Sequence, residues 1–353
     1  MGNGTEETID RIIREHQQNK KLVSSELGEL FANYQGDSVY NCVFDYFLDI
    51  IEDDEIRNFI SMSQSISQKH LHQIKVIFKQ EGIPIPSAFG DQDIRMGSPR
   101  LFSDIFMVFY TTEMARAAFA AYGSALGTSY RHDVITYFEM CLKDTKEVYK
   151  KGIALLMAKG FDITSPEIPY PQKVDFVEKE SFISIVMGKS RPLLALEIKH
   201  LQKNIYTNAL GKALMLGFSQ VASSEKLRNF FREGSQLADK QIRELSTFLL
   251  REDLPSPRVL DDQVTDSTSS PFSDRLMLTH ASMASATGIM NYGAALSKIL
   301  RHDIHAQFIS LTAGVGKYAD EGLTMMISNG WLEEPPTAAD RKKLSERSAG
   351  KKT

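Results

Sequence analysis

The sequence predicts an all-α protein made of two tandem up-down four-helix bundles, each with a long crossover between its second and third helices. Three observations carry that prediction. The first is an internal duplication. Phe102-Ser103-Asp104, Tyr122-Gly123, Arg131-His132-Asp133, Phe138 and Gly160 recur 170 positions later as Phe272-Ser273-Asp274, Tyr292-Gly293, Arg301-His302-Asp303, Phe308 and Gly330. Upstream the offset is 171: Arg57-Asn58-Phe59 returns as Arg228-Asn229-Phe230, and Glu26, Leu30, Asn33 and Phe47 return as Glu197, Leu201, Asn204 and Phe218. A period of that length is a whole domain, not a solenoid unit. The second observation is apolar residues at helical spacing through most of the chain, with almost no strand signal. The third is a Pro- and Gly-rich segment in each copy that is too long for a turn.

Residues 1–20 read as a polar lead-in. Ser24 or Ser25 is placed to cap a first helix carrying Leu27, Leu30, Tyr34, Phe44, Leu48 and Ile51. Glu52-Asp53-Asp54-Glu55 makes a short turn whose charge suits the start of the next helix. That second helix shows Phe59, Ile66, Ile74 and Ile77 on one stripe and stops at Glu81-Gly82. The segment 82–98 follows, with Pro84, Pro86, Gly90 and Gly97. Extended, it reaches roughly 55 Å at about 3.3 Å per residue. A helix of about 28 residues is roughly 42 Å long. The segment therefore runs the length of a bundle, and short turn, long crossover, short turn is the ferritin-type connection.

A third helix is expected from Pro99 through Phe102, Ile105, Phe109, Phe119, Tyr122 and Leu126. A fourth starts near Arg131-His132-Asp133 and ends at Gly160, a glycine stop. Asp133 is placed to cap that helix and Arg131 to bond the last carbonyls of the preceding one. Tyr122-Gly123 and Tyr292-Gly293 read as a packing device, with Gly admitting a neighbouring helix. The second copy repeats the plan over 193–222, 224–252, 271–300 and 302–329. These boundaries divide the chain into a first bundle (1–165), a Pro-rich linker (166–192), a second bundle (193–335) and a disordered tail (336–353). One strand candidate, Phe182-Ile183-Ser184-Ile185-Val186, sits in the linker.

Two such domains in 353 residues have ordinary size and can each close a core. A net charge of −4 supplies no field for nucleic acid or an anionic membrane, which leaves protein partners and self-association into a homo-oligomer. Cys42 and Cys141 fall in apolar helical stretches, so buried free thiols are expected, and with them a reducing, cytoplasmic compartment. The N-terminus lacks a basic-then-apolar signal pattern, and Met1-Gly2 is followed by Glu6 where a myristoylation start has Ser or Thr.

Several stretches carry a family resemblance: Asn208-Ala209-Leu210-Gly211-Lys212-Ala213-Leu214, Gly217-Phe218-Ser219-Gln220-Val221-Ala222, Val264-Thr265-Asp266-Ser267-Thr268, Asn291-Tyr292-Gly293-Ala294-Ala295-Leu296 and Asn329-Gly330-Trp331-Leu332-Glu333. Over residues 20–340 the chain resembles the uncharacterised two-repeat ferritin-like proteins of spore-forming bacilli, which are loosely linked to spore-coat proteins. The resemblance implies fold and lineage: a non-enzymatic structural or interaction protein associated with sporulation or stress. It implies no catalytic residues.

The sharpest chemical alternative is a metal site in the first bundle. Ferritin-type sites draw carboxylates and histidines from four helices at one depth. Counting about 1.5 Å per residue brings Asp37, His70, Glu113 and Asp144 (or Glu147) to nearly one level, one from each helix. Three carboxylates and an imidazole suit iron, manganese or zinc, with oxidase-like chemistry in prospect. Against this, the second and fourth helices lack Glu-x-x-His, and the duplicates of Asp37, His70 and Glu113 are Asn208, Gln241 and Met283. The one Glu-x-x-His of the second copy, Glu197 to His200, lies in the first turns of its helix. A third class, binding of an apolar small molecule, predicts a sizeable dry cavity between helices.

Overall fold

The computed structural model describes residues 20–184 and 190–349, together with Thr8 and Arg11. The first bundle comprises α1 (Ser24–Ile50), α2 (Asp54–Gln80), α3 (Asp104–Gly127) and α4 (His132–Ala158). The second comprises α5 (Ala195–Val221), α6 (Glu225–Leu250), α7 (Asp274–Leu296) and α8 (His302–Ser328). Asp104 accepts the Asp53 N–H at 2.9 Å, so α2 and α3 start at the same end and run parallel. Ser25 donates to the Thr128 carbonyl at 2.8 Å, so α3 ends where α1 begins. Parallel second and third helices demand a crossover of bundle length, and residues 81–103 supply it.

The helix starts differ from expectation in an instructive way. Val23, not a serine, is the N-cap of α1, and the Glu26 carboxylate takes the Val23 N–H at 3.0 Å. Glu26 also accepts the N–H groups of Tyr130 and Arg131 (2.8 and 2.7 Å) where the chain turns into α4. Glu197 repeats this on Leu194, Leu300 and Arg301. A serine hydroxyl would satisfy one backbone donor, whereas the buried carboxylate satisfies three with charge-assisted bonds. Arg131 forks onto Asp133 (3.0 and 2.6 Å), reaches Glu81 at the end of α2 (2.6 Å) and donates to the Lys20 carbonyl (3.2 Å). Arg301 does the same with Asp303, Glu252 and the Arg191 carbonyl. Each arginine thus ties three chain segments together rather than closing the preceding helix.

Helix α3 begins at Asp104 with Ser103 as N-cap, five residues beyond Pro99, and α7 begins at Asp274 behind Ser273. The extended residues before each helix pair with the crossover of the other bundle. Ile94 bridges Phe272 while Phe102 bridges Val264. Arg95 N–H donates to the Pro271 carbonyl (2.8 Å), and Thr265 N–H to the Leu101 carbonyl (3.0 Å). Ser273 Oγ donates to Asp93 (2.7 Å), and Ser103 Oγ to Gln263 (2.6 Å). Each of these contacts has a counterpart with the two copies exchanged, as in an isologous two-fold interface, while Arg275 adds an unmatched ion pair to Asp93. Near that axis the duplicate positions Tyr110 and His280 meet each other, hydroxyl to Nε2, at 2.5 Å.

The apolar residues follow the same plan. One cluster at the far end of the first bundle includes Leu30, Phe78, Tyr137 and Phe138, and one in the second includes Leu201, Leu249, Tyr292 and Phe308. Between them a continuous core joins both bundles through Tyr46, Phe47, Phe102, Phe106, Phe218 and Phe272. The linker has no regular secondary structure through 163–179, with a bend at 172–173. Of the strand candidate, Phe182 lies in a 3-10 turn (Glu180–Phe182), and residues 185–186 lie outside the described residues, as does nearly all of the lead-in. The tail is not wholly irregular: Asp340 accepts the N–H groups of Lys342 and Lys343, starting an exposed helix α9 (Arg341–Ala349). That cap is a local signal strong enough to order a turn without a core.

Candidate functional site

Each bundle has a partly open cavity between its helices at mid-height. The first, about 70 Å³, lies among Asp37, Tyr40, Ser67, His70, Met114 and Tyr122. The second, about 80 Å³, lies among Asn208, Gly211, Ala238, Gln241, Ala284 and Tyr318. Apart from Tyr122, every residue lining the first has its duplicate, 170 or 171 positions on, in the lining of the second. Met114 of α3 contributes to both walls. The two are one site, inherited twice and then furnished differently.

The first copy is ionic. His70 sits between two carboxylates, Nδ1 at 3.6 Å from Asp37 and Nε2 at 3.5 Å from Asp144. Burial alone would push the imidazole toward neutrality, but Asp37, aided by Cys141, holds its pKa up at about 10. Ser67 donates to Asp37 Oδ1 at 2.8 Å, and Lys69 binds Asp144 at 2.8 Å. Tyr122 and Tyr137 stand edge-on to the imidazole. Burial raises the pKa of both thiols, Cys42 to about 12, so they are poor nucleophiles.

This arrangement does not fit the metal set Asp37, His70, Glu113 and Asp144. Glu113 is turned away, paired with Arg116 at 2.8 Å and facing Lys203 of the second bundle, with burial raising its pKa. The His70 ring lies between Asp37 and Asp144 and is held protonated by Asp37, so it offers no lone pair to an ion, although Nε2 makes no hydrogen bond at its 3.5 Å distance from Asp144. Among the described residues no group of three or more His, Cys, Asp or Glu side chains is placed to hold a metal. The depth count was sound for three of the helices; rotation about α3 decided the fourth.

The second copy is neutral. Asn208 Nδ2 donates to the Tyr292 hydroxyl (2.9 Å), which donates on to Gln241 Oε1 (3.0 Å). Gln241 Nε2 is left buried without a partner. His280 also borders this cavity; its Nδ1 is unpartnered and burial lowers its pKa to about 4. Among the described residues no Asp, Glu, Lys or Arg lines the space. Gly234 is required here, because a Cβ on it would stand 2.2 Å from the Tyr318 hydroxyl. Gly123 and Gly293 admit no neighbour, since a Cβ on either would meet nothing, and the tyrosines beside them matter for their hydroxyl and ring contacts instead. Glu197 and His200 form no pair: the carboxylate caps α5 and binds Arg191, and both ring nitrogens of buried His200 lack partners.

Sequence reasoning missed the second cavity, though its signal is present. Ala281, Ala284, Ser285 and Gly288 put small residues on one face of α7, where a bundle core needs volume. Between copies, Tyr40 becomes Gly211 and Met114 becomes Ala284.

The fold and its cavities define a class, a tandem pair of crossover four-helix bundles joined by a pseudo-two-fold seam. The chain belongs to the family described as protein of unknown function (DUF3231), whose model matches it twice, over residues 11–174 and 181–344. Those two matches stand 170 residues apart, the period of the duplication. No curated protein matches the chain. It is similar to a solved structure from Bacillus halodurans with a provisional spore-coat designation, at 19% identity and a TM-score of 0.39, covering 42% of this chain and 98% of that one. Among the described residues no helix is long and apolar enough to cross a membrane.

Proposed function

We propose that this chain is a small-molecule-binding protein with one ligand pocket in each bundle, the first ionic and the second neutral. The observation that supports the reading is the positional identity of the two cavity linings across the duplication. Bundle cores are where four-helix proteins build ligand sites from facing helices. Both copies keep a space at this level although the residues around it have changed, Tyr40 to Gly211 and Met114 to Ala284 among them. The test is xenon uptake by crystals of the full chain. Density is expected in both cavities, with Ala284→Met removing the second site alone. Absence of xenon from both would sink the reading.

A second reading, an interaction protein associated with sporulation or stress, has the family resemblance behind it and one specific observation. In the linker Tyr170, Val174 and Phe176 are more than four-fifths exposed, at 87%, 89% and 85%. Serine at all three positions should abolish placement of a fluorescently tagged chain at the spore surface while leaving its thermal unfolding unchanged. Unchanged placement would count against a linker-mediated role.

A further inference from the structure

The second cavity carries enough chemistry to name a ligand class, an inference that rests on the pocket reading above. We infer that it takes a small uncharged molecule with an apolar body and one hydrogen-bond-accepting oxygen, held by the side-chain amide of Gln241. The walls supply Leu210, Leu214, Met215, Leu237 and Val315, which favour an apolar body. An ionised ligand would lose its hydration and find no opposite charge, which excludes anions and cations alike. His280 does not alter this, because burial keeps its ring neutral at physiological pH.

The directional polar requirement comes from Gln241, beside the unpartnered His280 Nδ1, whose donor or acceptor role follows the ring's tautomer. Gln241 is 3% exposed, and its carbonyl end is already engaged by Tyr292. Its Nε2 carries two hydrogens and has no acceptor in the protein. Leaving a buried donor unsatisfied is costly, whereas an acceptor brought by a ligand turns that cost into affinity. A carbonyl, ether or hydroxyl oxygen meets the need. The relay from Asn208 through Tyr292 fixes the amide, so the donor is preoriented. In the first copy the equivalent residue is His70, whose Nε2 also lacks a hydrogen-bond partner but belongs to a cationic ring beside Asp37 and Asp144, so that pocket presents a charge instead of a neutral amide.

Size restricts the ligand further. At about 80 Å³ the space is roughly half the engineered cavity of about 150 Å³ that admits benzene. Ligands of a few heavy atoms fit, and a bulky ring does not. Butanone matches all three conditions and serves as the probe. Its binding to the full chain would be followed by methyl NMR signals of Leu214 and Val315, beside the same measurement with xenon. The carbonyl stretch of bound butanone would be read by infrared difference spectroscopy. Saturable binding is expected, with the stretch shifted to lower wavenumber. Gln241→Leu should weaken butanone about tenfold while xenon uptake stays the same. If xenon enters and butanone either fails to bind or binds with an unshifted stretch, the ligand class is wrong and the pocket stands. If neither enters, the pocket reading falls with it.

Discussion

His70 and Gln241 occupy one duplicated position and impose different chemistry on otherwise matching sites. His70 is more basic in the folded chain, at about 10, than its ordinary 6.5. Its proton therefore stabilises the fold fully below pH 6.5, and that contribution is lost as pH rises through about 10. Stability measured by denaturant titration should decline over that window, and His70→Gln should flatten the decline. His70→Ala alone should cost about 3–5 kcal/mol, because it strands the buried Asp37. Asp37→Asn combined with His70→Gln, the pair that the second copy already uses, should return to within about 2 kcal/mol of the native chain. A double variant no better than the sum of its parts would show that the first pocket tolerates only the ionic solution. His280 behaves oppositely: buried neutral with a pKa near 4, it favours the fold above about 6.5, and that contribution is lost as pH falls toward 4. A glutamine there should reduce the acid sensitivity.

Helices in this chain are positioned by what their ends and small residues touch. On α6, Gly234 sits against the Tyr318 hydroxyl, whereas on α5 a Cβ at Gly211 would enter open space. Gly234→Ala should therefore destabilise by about 1–3 kcal/mol through forced displacement of Tyr318. Gly211→Ala should stabilise by about 0.5–1 kcal/mol, since alanine restricts the unfolded chain and fits the helix. Thermal unfolding of the two variants gives opposite signs if the packing is as described. The Glu26 and Glu197 corners were half legible: the recurrence of both glutamates marked them, but their second partners, across the bundle, were invisible to a local capping rule. The start of α3 was misplaced for a related reason. Residues 99–102 carry helical periodicity, yet the Arg100 and Leu101 carbonyls are taken by Thr265 of the other bundle's crossover, and the Leu101 N–H and Pro99 carbonyl by the Tyr46 hydroxyl, which α-helical geometry could not serve.

Two bundles that share a core should unfold as one. Phe102 enters the second bundle against Gly217, where a Cβ would stand 2.8 Å from its ring, and Phe272 packs edge-on to Tyr46 at 5.1 Å. Calorimetry should give a single transition with matching calorimetric and van't Hoff enthalpies. Phe102→Ala or Phe272→Ala should cost about 3–5 kcal/mol and lower the melting of both halves together. Two separated transitions in the native chain would show that the seam holds less than its burial implies.

The sequence by itself determined the duplication, the helix count of each bundle, the crossover connection and the level at which Asp37, His70 and Asp144 meet. These follow from periodicity, from repeated positions and from the fixed rise of a helix, all of which are local or arithmetic properties. Only the tertiary structure decided which way Glu113 faces, that the crossovers clasp each other's bundle, and that a cavity opens at the mid-bundle level in both copies. Those outcomes depend on the rotation of each helix and on volumes summed across four facing helices. A glycine at 211 and an alanine at 284 leave a space only when the helices opposite them are known.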